Sequence, residues 1–219
     1  MSLLSPVSAD NPRRSTSSHA AILRAAADLA GRVGYANASI EQIAEEAKVG
    51  KQTIYRWWPN KAALFIEVYR ELVPADRVVD DTGSLERDLE LLLTRLSRLY
   101  CDTPAGNILS GLIAEAQTVT ELADQLRETY VMPRRAIIDS IFARAVARRE
   151  IEALQGIDLA SDLISGAVWF RLLLGKRQLD RGFKRHLIDA ILRGVVRAPA
   201  QPASRLRGQR RDSERRRGR

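Results

Sequence analysis

Residues 39–61 read SIEQIAEEAKVGKQTIYRWWPNK, and the pattern changes character within them. Ile40, Ile43, Ala44 and Ala47 recur at spacings of three and four, the stripe of a helix with one buried face. Ser39 stands just ahead of that stripe and Gln42 three residues on, a spacing that predicts a capping box. Lys48-Val49-Gly50 is a turn, and Gly50 is the residue expected to take backbone angles that others avoid. From Lys51 to Trp58 a second short helix offers Ile54 to a core and otherwise shows Lys51, Gln52, Thr53, Tyr55, Arg56 and Trp57. So polar and aromatic a helix packs poorly. Its surface suits the major groove of DNA.

On the N-terminal side, Ile22, Ala25, Ala26, Leu29, Ala30 and Val33 predict a helix from about Ser17 to Val33, with Gly34 as its C-terminal cap. Residues 1–16 have no periodicity and read as an arm. Arg13 and Arg14 at its end fit either a solvated charge pair or a reach toward phosphates or the minor groove. On the C-terminal side, Pro59 stops the exposed helix, Asn60 can cap the next, and Ala62 to Leu72 carry an apolar stripe up to Val73. Residues 17–73 therefore form one helical head with a connecting helix. Pro74 and the polar run Asp76–Gly83 mark a boundary.

Residues 84–198 show only helical periodicity. Ser84 opens a helix with Leu85, Leu89, Leu92, Leu93, Leu96 and Leu99, which Asp102-Thr103-Pro104 breaks. Ile108, Leu112, Ile113 and Ala116 make a shorter one. A long stretch from about Glu121 to Arg149, with Thr120 as its cap, contains Pro133, which should kink or divide it. The helix across Leu159–Leu174 is apolar nearly all round, and a last one runs from about Phe183 to Val196. Residues 199–219 read as a disordered Arg-rich tail. The fold class is all-α: a three-helix helix-turn-helix head joined to a helical bundle.

Charge is unevenly placed. The 219 residues carry a net +8, with 45% hydrophobic residues to build a core. Residues 205–219 hold eight Arg against Asp212 and Glu214, a net of +6, and residues 13–73 a net of +3, whereas residues 74–204 are neutral. Basic ends on a neutral middle imply an anionic partner. The single cysteine, Cys101, allows no intrachain disulfide and is expected as a small buried hydrophobe. His19 and His186 lie far apart and lack metal-ligand spacing, and no Gly-rich phosphate loop is present, so no metal, cofactor or enzymatic activity is expected. With no signal peptide and no membrane-spanning run, the expected setting is cytoplasmic.

These words in this order resemble the DNA-binding head of the TetR family of bacterial transcriptional regulators. The likeness covers Ala20–Phe65: Gly34-Tyr35, Ser39 with Ile43-Ala44, Val49-Gly50, Thr53-Ile54-Tyr55 and Pro59-Asn60-Lys61. The C-terminal part is similar in helix lengths and in words such as MPRRAIIDSIFARAVAR. The resemblance implies a homodimeric repressor whose two heads enter successive major grooves of a pseudo-palindromic operator. It also implies a C-terminal bundle that dimerises and holds a small effector, whose binding spreads the heads and releases the DNA.

The residues can serve such a role. Arg and Lys donate to guanine, Gln pairs with adenine and Thr meets a thymine methyl. The expected DNA set is Ser39, Lys51, Gln52, Thr53, Tyr55, Arg56, Trp57 and Lys61, with Tyr55 on a phosphate by the resemblance and Ser39 and Lys61 at helix N-termini that attract phosphate. Arg56 and Trp57 could instead pack on the adjacent helix, and Trp58 is expected as core. The two C-terminal helices carry more apolar surface than one subunit can bury, so Leu163, Ala167, Phe170, Leu187, Ile188, Ile191 and Val195 are the expected dimer interface. Tyr100, Leu112, Tyr130, Phe142 and Trp169 are candidates for a small apolar effector, or are ordinary core. The rival reading is a DNA-binding protein with no effector, regulated by a protein partner or by its basic tail.

Overall fold

The computed structural model describes residues 12–73, 79–152, 156–174 and 179–196, with side chains from Thr16 onward. The expected arm up to residue 11, Pro74, the start of the polar boundary run and the Arg-rich tail lie outside the described residues, as do the side chains of Arg13 and Arg14. Every regular element among the described residues is helical. In order they form α1 (Pro12–Asn37), α2 (Ile40–Glu46), α3 (Lys51–Trp57), α4 (Lys61–Leu72), α5 (Leu85–Asp102), α6 (Ala105–Ala116), α7 (Thr120–Leu126), α8 (Met132–Ala147), α9 (Ile157–Leu173) and α10 (Arg181–Ala190). Two π-helical turns, Arg127–Val131 and Ile191–Val195, follow α7 and α10.

The head packs α1, α2 and α3 around Ile22, Ala26, Leu29, Ile43 and Ile54, all buried. Ala25, Ala26 and Ala30 on α1 and Ala44 on α2 are also buried and let the helices approach closely. α1 starts at Pro12, five residues before the expected Ser17, and it does not end at Gly34. Gly34 takes φ 79° and kinks the chain, after which one more helical turn runs to Asn37. The capping box forms as expected: Gln42 N donates to Ser39 Oγ at 3.2 Å and Ser39 N to Gln42 Oε1 at 3.0 Å.

The turn between α2 and α3 differs from expectation. Gly50 has φ −75° and is an ordinary extended N-cap, while the left-handed residue is Lys48, at φ 54°. Lys48 N donates to Glu45 O and Val49 N to Ala44 O. This pair of bonds closes a Schellman motif, and its left-handed position falls on the residue after the C-cap. Glycine commonly fills that position; here a lysine does.

α4 leaves the head and runs into the body. Asn60 caps it by accepting from Ala63 N at 2.8 Å. Its twelve residues make a rod of about 18 Å. The head also rests on α6, where Asn107 Nδ2 donates to Ala30 O and Tyr35 Oη donates to Glu115 at 2.5 Å. A Cβ on Gly111 would fall 2.4 Å from the Tyr35 side chain, so that crossing requires glycine.

In the body, Pro133 divides the long expected helix through a π turn. A proline has no N–H for the carbonyl four residues back and its ring crowds that carbonyl. Residues 127–131 absorb both effects by widening to the π register. The visible part of the expected boundary run, residues 79–84, is held tightly. Val79 is buried, and Thr82 gives both its N–H and O–H to Asp88 Oδ1. Asp88 is 0% exposed and faces Arg144 at 3.6 Å and Arg148 at 3.3 Å, with Arg148 also on Asp81 at 2.6 Å. Burial works to raise the Asp88 carboxyl, but the Thr82 donors and the two guanidinium charges outweigh it and hold the group below its usual range.

Candidate DNA-reading surface and effector cavity

α3 turns one buried residue inward, Ile54, and keeps Lys51, Gln52, Tyr55 and Arg56 exposed. The pairs 51/55 and 52/56 are one turn apart, so these four share a face. Tyr55 is 51% exposed, which is high for a tyrosine and leaves its hydroxyl free to reach a backbone phosphate. Thr53 and Trp57 sit half-buried at the edges of that face.

Each expected contact residue has a definite place. Lys51 Nζ pairs with Glu41 Oε1 at 3.0 Å, an exposed link that an arriving phosphate can displace. Ser39 Oγ spends an acceptor lone pair on its cap and keeps its hydrogen to donate. Trp57 belongs partly to an aromatic cluster, 5.1 Å from the His19 ring and 5.5 Å from Trp58, with the Arg56 guanidinium 5.5 Å above it. Trp58 is core, as expected, and donates through Nε1 to Glu67 at 2.7 Å. His19 Nε2 meets the other Glu67 oxygen at 3.0 Å, so α1, α3 and α4 are tied at one point.

Lys61 is engaged within the head. Its ammonium lies 4.3 Å over the Tyr35 ring and donates to Tyr35 O at 3.1 Å and Ala36 O at 3.5 Å. It closes the carboxyl end of α1, where free carbonyls attract a cation. The sequence signal that would have shown this is the kink glycine, Gly34, which places those carbonyls beside the start of α4.

The body holds a cavity of about 1000 Å³, at the upper end of the range for small-molecule sites. Tyr69, Arg70, Leu72 and Val73 at the end of α4 form one wall, α5 supplies Leu92, Leu96 and Leu99, and the π turn and α8 supply Tyr130, Arg134 and Ile137. Of the five residues expected there, only Tyr130 lines it. Tyr100 lies behind the wall and shares a 2.9 Å hydrogen bond with Tyr130 Oη, and Trp169 Nε1 donates to the same hydroxyl at 2.9 Å. Leu112 and Phe142 are fully buried core outside it. The charged wall, above all Arg134, has no signal in the sequence, because an arginine on a helix usually reaches solvent.

The expected dimer residues divide in the same way. On α9, Ile157, Ala160, Ile164, Val168 and Leu172 pack inward, while Leu159, Leu163, Phe170 and Leu173 face out, Phe170 at 64% exposure. Ala167, between them, is half-buried. Ile188 and Ile191 are buried in their own subunit and are not available to a partner, whereas Leu187 and Val195 are half-buried. Cys101 is exposed, not buried: it follows the fully buried Tyr100 and so falls on the opposite side of α5. Among the described residues no group of His, Cys, Asp and Glu could hold a metal, and no helix is long and apolar enough to cross a membrane.

Comparison with known proteins agrees with this arrangement in both halves. Residues 22–68 match the family model described as bacterial regulatory proteins, tetR family. Residues 79–191 match the tetracyclin repressor-like C-terminal domain. The uncharacterized HTH-type transcriptional regulator YdeS of Bacillus subtilis is 32% identical over 182 residues, covering 83% of this chain and 91% of its own. The DNA-binding transcriptional repressor TetR of Mycobacteroides abscessus is 32% identical over 184 residues, 83% of this chain and 95% of its own. The crystal structure of the TetR family transcription regulator SCO0332 superposes with a TM-score of 0.66 at 32% identity, over 81% of this chain and 98% of that one. A head that presents one polar helix face, a matching body and relatives alike over nearly their whole length lead to one conclusion: this chain belongs to the TetR family and is a DNA-binding transcriptional regulator.

Proposed function

We propose that the protein is a homodimeric repressor that reads a pseudo-palindromic operator and leaves it when a small molecule enters the body. The observation that carries this reading is α4. Its first residues follow the end of α3, and Tyr69, Arg70 and Leu72 at its far end, with Val73 just beyond, line the cavity wall. A ligand that shifts Tyr69 to Val73 therefore acts on a rod that is pinned to the head through Glu67, which receives Trp58 and His19, and through Lys61. Packed helices shift as units between discrete arrangements, so the displacement carries along α4.

Lys51, Gln52, Tyr55 and Arg56 are the reading face, with Gln52 and Arg56 on base edges and Tyr55, Ser39 and the Lys51 charge on phosphates. Thr53 and Trp57 border that face. The outward stripe of α9, Leu159, Leu163, Ala167, Phe170 and Leu173, meets its copy across a two-fold axis, with Leu187 and Val195 at the rim. A self-complementary apolar face of this kind suits an isologous dimer. The relative named as a repressor supports repression as the mode.

Selection of bound duplexes from a random pool tests the reading. The expected result is a palindrome with half-sites about one helical turn apart and two chains per duplex. An unsymmetrical site bound by one chain would remove the two-headed reader.

A further inference from the structure

The cavity wall has more hydrogen-bond donors than acceptors. Arg134 lines it from α8, and its Nε is buried with no hydrogen-bond partner. Its Nη2 reaches the Tyr100 hydroxyl at 3.5 Å, and the guanidinium also donates to the Tyr69 hydroxyl, so its partners are neutral phenols. Among the described residues no carboxylate forms an ion pair with Arg134. The phenols around it make one chain: Tyr69 to Tyr100 at 3.4 Å, Tyr100 to Tyr130 at 2.9 Å, and Trp169 Nε1 into Tyr130 at 2.9 Å. Arg134 and Trp169 can only donate. Two hydroxyl–hydroxyl contacts absorb two of the three phenolic hydrogens. One O–H therefore remains without an acceptor, and with Tyr100 donating to one neighbour and accepting from the other it falls on Tyr69 or Tyr130, which both line the cavity.

The tyrosines do not supply the missing negative charge. Burial, above all, pushes the hydroxyls of Tyr69, Tyr100 and Tyr130 well above the usual range for a phenol, so they stay neutral. The wider wall has the same sign. Arg70, Arg95, Arg98 and Arg134 line the cavity against Asp102 and Glu128, and Arg95 is already paired with Asp80 at 2.6 Å. Leu92, Leu96, Leu99 and Ile137 give the remaining surface an apolar character.

We propose that the cavity takes an amphipathic organic acid, with its carboxylate on Arg134 and the free phenolic hydrogen and its apolar body on the leucines of α5. The proposal rests on the reading of the cavity as an effector site and gives that effector a charge. It also revises the expectation of a purely apolar ligand. A carboxylate accepts up to four hydrogen bonds, which uses both the orphan Nε and the surplus O–H.

Calorimetric titration of the purified full chain with matched probes tests it: decanoate, decanol and decyltrimethylammonium, and naphthoate with naphthol. The wild type should bind the carboxylates about tenfold or more tighter than the alcohols, the size of a charge-assisted hydrogen-bond pair, and should bind the cation weakest. Arg134→Met should bring carboxylate and alcohol to within about twofold while still binding the alcohol, and Arg134→Lys should keep part of the preference. Arg134→Met should also melt no lower than wild type, since it removes a desolvated, unpaired charge. Equal affinity of wild type for acid and alcohol, or an undiminished preference in Arg134→Met, would overturn the anion while leaving a neutral effector site. Failure of every probe to bind would overturn the effector site as well.

Discussion

The head and the body treat their polar groups differently. In the head, the groups that join its helices all have partners. Ser39 and Gln42 cap each other, Glu67 receives both Trp58 and His19, Lys61 closes the end of α1, and Tyr35 gives its hydrogen to Glu115. In the body, Arg134 keeps an orphan donor over the cavity, and Arg144 keeps two donors that see Asp81 and Asp88 only at ion-pair range. A joint with all its bonds made has one preferred geometry and moves as a block. A wall with bonds unmade gains free energy when a ligand makes them. The contrast assigns rigidity to the part that must fit a groove and readiness to the part that must sense.

The outward stripe of α9 is where breaking the molecule should cost most. Phe170→Glu places a charge at the centre of the apolar face, and sedimentation should show monomers. Operator affinity should then fall about a hundredfold or more, because the second head no longer binds as a tethered partner. A dimer of unchanged affinity would place the interface elsewhere.

Next in size is the clasp on Asp88. Asp88→Ala removes the buried one of the two carboxylates that Arg144 and Arg148 share, leaving them the half-exposed Asp81, and chemical denaturation should show a loss of about 3 kcal/mol. Because the folded-state carboxyl lies below its usual range, the stability it contributes is present above the unfolded value, about pH 3.9, and is lost as pH falls through the folded one. The variant should therefore show a shallower acid decline than wild type.

On the reading face, Gln52→Ala should relax preference at one base position in each half-site, at a cost of about 1–3 kcal/mol there, measured by competition between single-base variants of the selected duplex. An unchanged preference at every position would move base reading to Arg56 or Lys51.

The smallest effect tests the turn that joins α2 to α3. Lys48→Gly relieves a left-handed lysine and should raise the head's stability by about 0.5–1 kcal/mol if the gain exceeds the entropy that glycine adds to the unfolded chain. A lower melting temperature would show that the Lys48 side chain does more than fill the Schellman position.

The sequence was most readable where a residue's neighbours along the chain settle its role. The stripe of α2, the Ser39–Gln42 box, the Asn60 cap and the division at Pro133 are local matters, and each formed as its spacing requires. The sequence was least readable where a distant element decides. Gly50 looked like the turn's special residue because glycine tolerates φ above zero, yet the Schellman bonds from Val49 to Ala44 put that burden on Lys48. Lys61 reads in sequence as a lysine at a helix N-terminus, and only the kink at Gly34 brings α1 carbonyls within its reach. Ile188 and Ile191 were indistinguishable in sequence from the outward Phe170, because an apolar residue fits a core and an interface equally well. Arg134 was passed over for a related reason: nothing in MPRRAIID tells a solvated arginine from one turned into a cavity.

The central claim is that occupancy of the cavity is felt at α3 through α4. The direct measurement is operator affinity by fluorescence anisotropy at rising concentrations of a probe acid whose binding has been established by calorimetry. Operator affinity should fall at least about fivefold at saturation, and the acid should bind the DNA-bound protein more weakly by the same factor. Full occupancy of the cavity with operator affinity unmoved would contradict it.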